Sequence, residues 1–367
     1  MLIGFLALVQ SQYMIDKTKV LKDKVLYGYE YRNFTMTTVD ECFLQCYENC
    51  FCMAFQMCPN TQCQLLSSNQ FQFPSALVTT EGCSYYDILP DLQQIKKMNA
   101  SGCNRVSVCQ FHDHLCQNNG SYVALTPTDH TTPRYKCQCL TGYTGSLCQH
   151  AIKSCLAYSN GSRVPGNYQV LDDNMKPYEV FCDFDSSSNK VWTLVSSYQL
   201  QNKVNFDKSY SKNWPVNEDT PRWDEYRLSK PRMQSVQNDS SKFRVTCKYD
   251  TDGLNYTDYL EARNEHVDVL NFVDQQTSST VVCSFVDYVN IRGDDCGFCT
   301  MILYQNVYTF HADSSRTDGC DFQSTGAEKC GGIGEDNFGL YNCVNPAHRC
   351  SSSADATTQL WFGTDWL

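Results

Sequence analysis

The sequence predicts a multidomain, disulfide-rich protein: a small α+β module, a small β module and a larger α+β domain that is mostly β. Two observations predict it. The chain carries 23 cysteines in 367 residues, a density that marks a disulfide framework built in an oxidising, extracellular compartment. These cysteines fall in three blocks of different spacing, seven from Cys42 to Cys83, six from Cys103 to Cys148 and ten from Cys155 to Cys350. The length suits two to three domains, and a hydrophobic content of 42% is enough to bury cores. A formal net charge of -11 argues against nucleic acid and anionic membrane as partners and is compatible with cationic partners or calcium.

Residues 1–11 open with the apolar run Met1-Leu2-Ile3-Gly4-Phe5-Leu6-Ala7-Leu8-Val9 and read as the core and cleavage site of a secretory signal peptide. No Lys or Arg precedes the run, so its basic segment is minimal or missing. No other apolar run approaches the roughly 18–20 residues of a membrane span, so the mature chain is expected to be soluble or matrix-bound, without a transmembrane anchor. Six N-x-[ST] sequons, at Asn33, Asn99, Asn119, Asn160, Asn238 and Asn255, need the same compartment as the disulfides.

In the first block, residues 12–88, Thr38-Val39-Asp40-Glu41 is a capping box that starts a helix. Cys42 and Cys46 follow four apart and so share one helical face. The apolar and aromatic segment around Cys52-Met53-Ala54-Phe55 suits a strand. This arrangement resembles the PAN/apple family, a protein- or carbohydrate-binding module without catalytic residues. The resemblance implies the pairs Cys42–Cys63 and Cys46–Cys52. Cys50 and Cys58 are extra to that core and are candidates to pair with each other.

In the second block, residues 100–149, Cys137-Gln138-Cys139-Leu140-Thr141-Gly142-Tyr143-Thr144-Gly145-Ser146-Leu147-Cys148 carries two glycines where a fold with little core needs tight turns. The segment is similar to the C-terminal half of an EGF-like module, and Cys116-Gln117-Asn118-Asn119-Gly120 to an earlier part of it. The resemblance implies Cys116–Cys137 and Cys139–Cys148. The family's third cysteine would fall at Tyr122 and is absent. Cys109 then lacks its usual partner, with Cys103 and Cys83 as alternatives. His112-Asp113-His114 lacks further spaced ligands and reads as a solvated loop.

In the third block, residues 150–367, Gly166-Asn167-Tyr168-Gln169-Val170, Val180-Phe181-Cys182-Asp183-Phe184 and Val191-Trp192-Thr193-Leu194-Val195 alternate as half-buried strands. They resemble the opening of a fibrinogen C-terminal-like domain, which implies Cys155–Cys182 and, from the far end, Cys330–Cys343. By the same resemblance Phe338, Tyr341 and Asn342 would border a ligand pocket, with a cis peptide at Asn342-Cys343. The middle departs from that family, and its calcium loop is not intact. Asp313, Asp318 and Asp321 stand in the corresponding stretch as possible hard oxygen ligands for calcium.

Arg292-Gly293-Asp294 offers two readings, a plain turn and an exposed tripeptide that binds an integrin. Cys296-Gly297-Phe298-Cys299 has redox-motif spacing, but its surroundings read as a structural pair. No pattern for a nucleophile with its base is found, so no enzymatic activity is expected. The module order implies a secreted extracellular-matrix glycoprotein. Its layout is similar to skeletal organic matrix proteins of stony corals. A soluble glycan-binding lectin and an integrin ligand are the alternatives. The odd cysteine total leaves at least one thiol free or intermolecular, with Cys83, Cys103 and Cys109 the expected place.

Overall fold

The computed structural model describes residues 13–14, 19–90, 116–125, 129, 131, 133–161, 163–272, 282–306, 308–313, 319–323 and 336–366. The chain divides into two compact units, Met1–His150 and Ala151–Leu367. The described residues are mostly β, with few helices and nine disulfides. Among them no helix is long and apolar enough to cross a membrane. The leader-like residues 1–11 and the His112–His114 segment lie outside the described residues.

The first unit contains strands β1 (Leu21–Leu26) and β2 (Glu30–Thr35), helix α1 (Val39–Glu48), then β3 (Ala54–Cys58), β4 (Gln62–Leu66) and β5 (Leu77–Asp87). The strands form one antiparallel sheet in the order β1-β5-β3-β4-β2. Helix α1 starts where its capping box dictates: Glu41 N–H donates to Thr38 Oγ1, and Thr38 N–H donates to the Glu41 carboxylate. Cys42 and Cys46 are its buried residues. They bond Cys63 on β4 and Cys52 just before β3, fastening the helix to the sheet. Phe55, Leu65 and Ile88 complete the core around these sulfurs.

Cys58 bonds Cys83, not Cys50. The sheet register explains this. Met57 faces Ser84 across β3 and β5, which puts Cys58 opposite Cys83 with 4.1 Å between Cα atoms. Cys50 lies beyond the helix end and is also disulfide-bonded. All twenty described cysteines are bonded, so the one left over by the odd total lies outside the described residues. Cys83 is thereby removed from that group, while Cys103, Cys109 and Cys330 lie outside the description.

Later in the first unit, β6 (Ser121–Ala124) pairs with β7 (Tyr135–Gln138). Cys116–Cys137 and Cys139–Cys148 staple this hairpin and the turn after it. Gly142 and Gly145 take φ values of 91° and 96° there, conformations that a side chain would strain. Tyr122 sits opposite Cys137. Its hydroxyl accepts the Cys116 N–H at 3.3 Å. Just before β7, Arg134 is 2% exposed and donates to the carbonyls of Cys46, Tyr47, Asn49 and Cys52 at the C-terminal end of α1.

The second unit is built on one sheet of nine strands. They are β8 (Gly166–Leu171), β9 (Pro177–Asp185), β10 (Lys190–Gln199), β11 (Glu225–Arg227), β12 (Lys242–Cys247), β13 (Tyr259–Arg263), β14 (Ser284–Ile291), β15 (Asp294–Met301) and β16 (Thr357–Asp365). The order is β8-β9-β10-β16-β12-β13-β14-β15, with β11 paired to β10. The last strand of the chain therefore lies at the centre of the sheet. There Arg244, fully buried, sits between the rings of Trp192 and Trp361 at 4.6 and 4.7 Å and pairs with Asp183 at 2.6 Å. Gly363 is required beside it, since a Cβ would come within 2.4 Å of the Trp192 ring. Disulfides Cys155–Cys182, Cys247–Cys350, Cys283–Cys320 and Cys296–Cys299 fasten the sheet and its loops.

Candidate binding depression on the large sheet

Strand periodicity sets up a polar and aromatic face on the second unit. Tyr259, Glu261 and Arg263 alternate along β13 and point to one side, while Leu260 and Ala262 are buried in the core. Arg244 and Lys242 stand opposite Glu261 and Arg263. Lys242 in turn faces Gly363, which faces Trp192. Lys190 stands opposite Asp365, two residues further along the same strand. Lys190 Nζ comes 2.5 Å from Glu261 Oε1, and Lys242 Nζ stands 3.5 Å from the same oxygen. Tyr259 donates its hydroxyl to the other oxygen at 2.7 Å. Burial alone would raise the Glu261 carboxyl, but Lys190, Tyr259 and Lys242 together hold the group below the ordinary carboxylate range. Burial raises the Tyr259 hydroxyl, and the Glu261 charge raises it further, so it stays a donor.

These residues floor a depression of about 310 Å³, at the lower end of ordinary small-ligand sites. Its aromatic wall is a cluster in which Tyr256 packs 4.9 Å from Tyr259 and 6.3 Å from Tyr288 between ring centroids. Phe298, 71% exposed, lines another part. Its φ is 52°, a costly conformation for a bulky side chain, and the Cys296–Cys299 disulfide brackets it. Asp287 is 9% exposed. Arg263 Nε stands 3.3 Å from it as an ion pair, though neither carboxylate oxygen accepts a hydrogen bond. A second hollow of about 480 Å³ adjoins and shares Lys242 and Arg263. Every cation in the depression thus has an anion beside it. With Asp365 3.7 Å from Lys242, three carboxylates face the three cations, and the surface offers donors, acceptors and exposed rings that suit a polar, uncharged ligand.

The residues singled out from sequence lie elsewhere. Arg292 and Gly293 are the two-residue loop of the β14–β15 hairpin, with Ile291 paired to Asp294. Both have positive φ, the geometry that suits a tight hairpin. Gly293 and Asp294 are exposed, but the Arg292 guanidinium donates to Asn337 Oδ1 at 3.1 Å and its N–H to Asp258 at 2.8 Å. Phe338 and Tyr341 are buried. Both rings pack on His348, at 5.7 and 6.0 Å, and the Tyr341 hydroxyl meets Thr358. They are core side chains, and Asn342 alone of the three is exposed. No cis peptide occurs among the described residues.

Asp313 is buried and Asp321 is exposed, its carboxylate taken by the Thr300 N–H and hydroxyl. Asp318 lies outside the described residues. The one cluster of three potential metal ligands among the described residues is Cys247, His348 and Cys350. Its two sulfurs are bonded to each other, so they are not free to ligate. Cys343 is disulfide-bonded; its expected partner Cys330 lies outside the description. Of the sequons, Asn33, Asn119, Asn160, Asn238 and Asn255 are all exposed, and Asn99 lies outside the described residues.

Sequence reasoning missed the depression. Its signal was present in the period-two alternation of charged and apolar residues in Lys190-Val191-Trp192, Lys242-Phe243-Arg244 and Tyr259-Leu260-Glu261-Ala262-Arg263. What was lacking was the insertion of β16 between β10 and β12, which joins the first of these strands to the other two. No protein-family model matches the chain, and no curated protein sequence matches it.

Proposed function

We propose that the protein is a secreted extracellular-matrix glycoprotein that works by binding rather than by catalysis. In this reading the first unit combines PAN/apple-like and EGF-like modules, and the second is a divergent fibrinogen C-terminal-like domain. One observation carries the proposal: every described cysteine is bonded, and every described sequon asparagine is exposed. Both chemistries belong to the secretory route. The charge-paired depression with its exposed aromatic rings supports the binding reading.

The layout and acidity fit a component of an organic skeletal matrix. Burial of Phe338 and Tyr341 weighs against a lectin pocket formed by those rings. The Arg292–Asn337 bond weighs against an integrin ligand displayed at Arg292-Gly293-Asp294. Fractionation of the tissue that makes the protein tests the proposal. Recovery from the insoluble extracellular matrix, with a mobility shift on N-glycosidase treatment, is the expected result. Recovery from the cytosol with free thiols would sink it.

A further inference from the structure

We infer that the depression on the large sheet is the seat of the protein's own N-linked glycan, attached at Asn255. The inference rests on the secreted-glycoprotein reading and adds to it a position and a role. The sequon is Asn255-Tyr256-Thr257, and its middle residue is itself part of the depression's aromatic wall. Asn255 is exposed, with its Oδ1 accepting the Thr257 N–H at 2.8 Å. A glycan that starts there begins one residue from the site, and its first sugars need no linker to reach it.

The lining suits that occupant. A pyranose ring has an apolar C–H face and a rim of hydroxyls without charge. Tyr256, 46% exposed, and Phe298, 71% exposed, provide flat apolar surfaces that water covers poorly. Lys190 pairs with Glu261, Lys242 stands between Glu261 and Asp365, and Arg263 pairs with Asp287, so three carboxylates offset the three cations. They retain hydrogen-bonding capacity without calling for a charged ligand. The other exposed sequons of this unit, Asn160 and Asn238, do not adjoin residues of the depression. The glycan would cover an otherwise exposed aromatic surface and stiffen the segment that leads into β13.

The test uses full-length protein secreted from eukaryotic cells. N-glycosidase release is followed site by site with mass spectrometry under native conditions. The Asn255 glycan is expected to leave more slowly than those at Asn160 and Asn238 by a factor of about three to ten, the range one aromatic contact supplies. Phe298→Ala removes a ring that is mostly in solvent and should abolish the difference while leaving the fold intact. Asn255→Gln should lower the Tm of the glycosylated protein by about 2–4 °C. Equal release at the three sites overturns the inference. So does an empty Asn255 beside occupied Asn160 and Asn238, which leaves the secreted-glycoprotein reading standing. Secreted protein without a glycan at any sequon would overturn that reading as well.

Discussion

Arg134→Ala is predicted to loosen the C-terminal end of α1 although the residue lies more than eighty positions away in sequence. The helix has no basic residue in its own last turn, and its final carbonyls have no intrahelical donors. Arg134 supplies them. Its guanidinium reaches the carbonyls of Cys46 at 3.0 Å, Tyr47 at 2.6 Å, Asn49 at 3.1 Å and Cys52 at 3.2 Å. It also brings a positive charge to the negative end of the helix dipole. Truncation leaves these buried carbonyls without that donor, at a cost of about 3–5 kcal/mol. The Cys46–Cys52 disulfide still holds the segment, so the opening is local.

Hydrogen exchange read by mass spectrometry on the full chain is the assay. The amides of Asn49 and Cys52, which bond the Cys46 and Asn49 carbonyls, should lose about a hundredfold to a few thousandfold of their protection, at about 1.4 kcal/mol per tenfold. Arg134→Lys keeps the charge but loses the fork and should recover about half of the loss. Unchanged protection in Arg134→Ala would refute the reasoning.

Three further outcomes are expected. Replacing Cys247 and Cys350 by Ala opens a bridge spanning 103 residues and should cost about 4–5 kcal/mol in denaturant unfolding; a loss under about 1 kcal/mol would contradict the staple's assigned weight. Arg244→Met strands the buried Asp183 carboxylate and should destabilise by about 3–5 kcal/mol, whereas pairing it with Asp183→Asn should recover much of that; additive losses would count against the pair. Burial holds the His348 imidazole down to about 4 from 6.5, despite the opposing Asp258 charge, and Arg292 and Arg349 depress it further. The unfolded chain therefore takes up this proton first, so stability falls as pH drops from about 6.5 to about 4, by about 3 kcal/mol. His348→Leu should flatten that slope, and an unaltered pH profile would rule the histidine out as its source.

Local rules made part of the fold legible in sequence. The Thr38 capping box starts α1, and the i, i+4 spacing of Cys42 and Cys46 turns both sulfurs to the sheet. Alternation around Trp192 marks a strand, which the sheet buries along nearly its whole length. What stayed hidden depends on register between distant segments. Cys58 bonds Cys83 because β3 and β5 lie side by side, a neighbourhood that cysteine spacing does not encode. Phe338 and Tyr341 look like pocket rings in a linear motif but are buried rings packed on His348, with the Tyr341 hydroxyl on Thr358 of the central strand. The depression is a more extreme case. Lys190, Lys242 and Glu261 meet because strand β16 inserts between β10 and β12, with Gly363 beside Lys242 and Asp365 beside Lys190.

Peptide mapping by mass spectrometry without reduction, on protein secreted from eukaryotic cells, bears most directly on the claim of a disulfide-built, glycosylated extracellular protein. The prediction is that linked peptides report Cys42–Cys63, Cys46–Cys52, Cys58–Cys83, Cys116–Cys137, Cys139–Cys148, Cys155–Cys182, Cys247–Cys350, Cys283–Cys320 and Cys296–Cys299, with N-glycans on exposed sequons. Predominantly free thiols at these positions, together with unmodified asparagines, would contradict it.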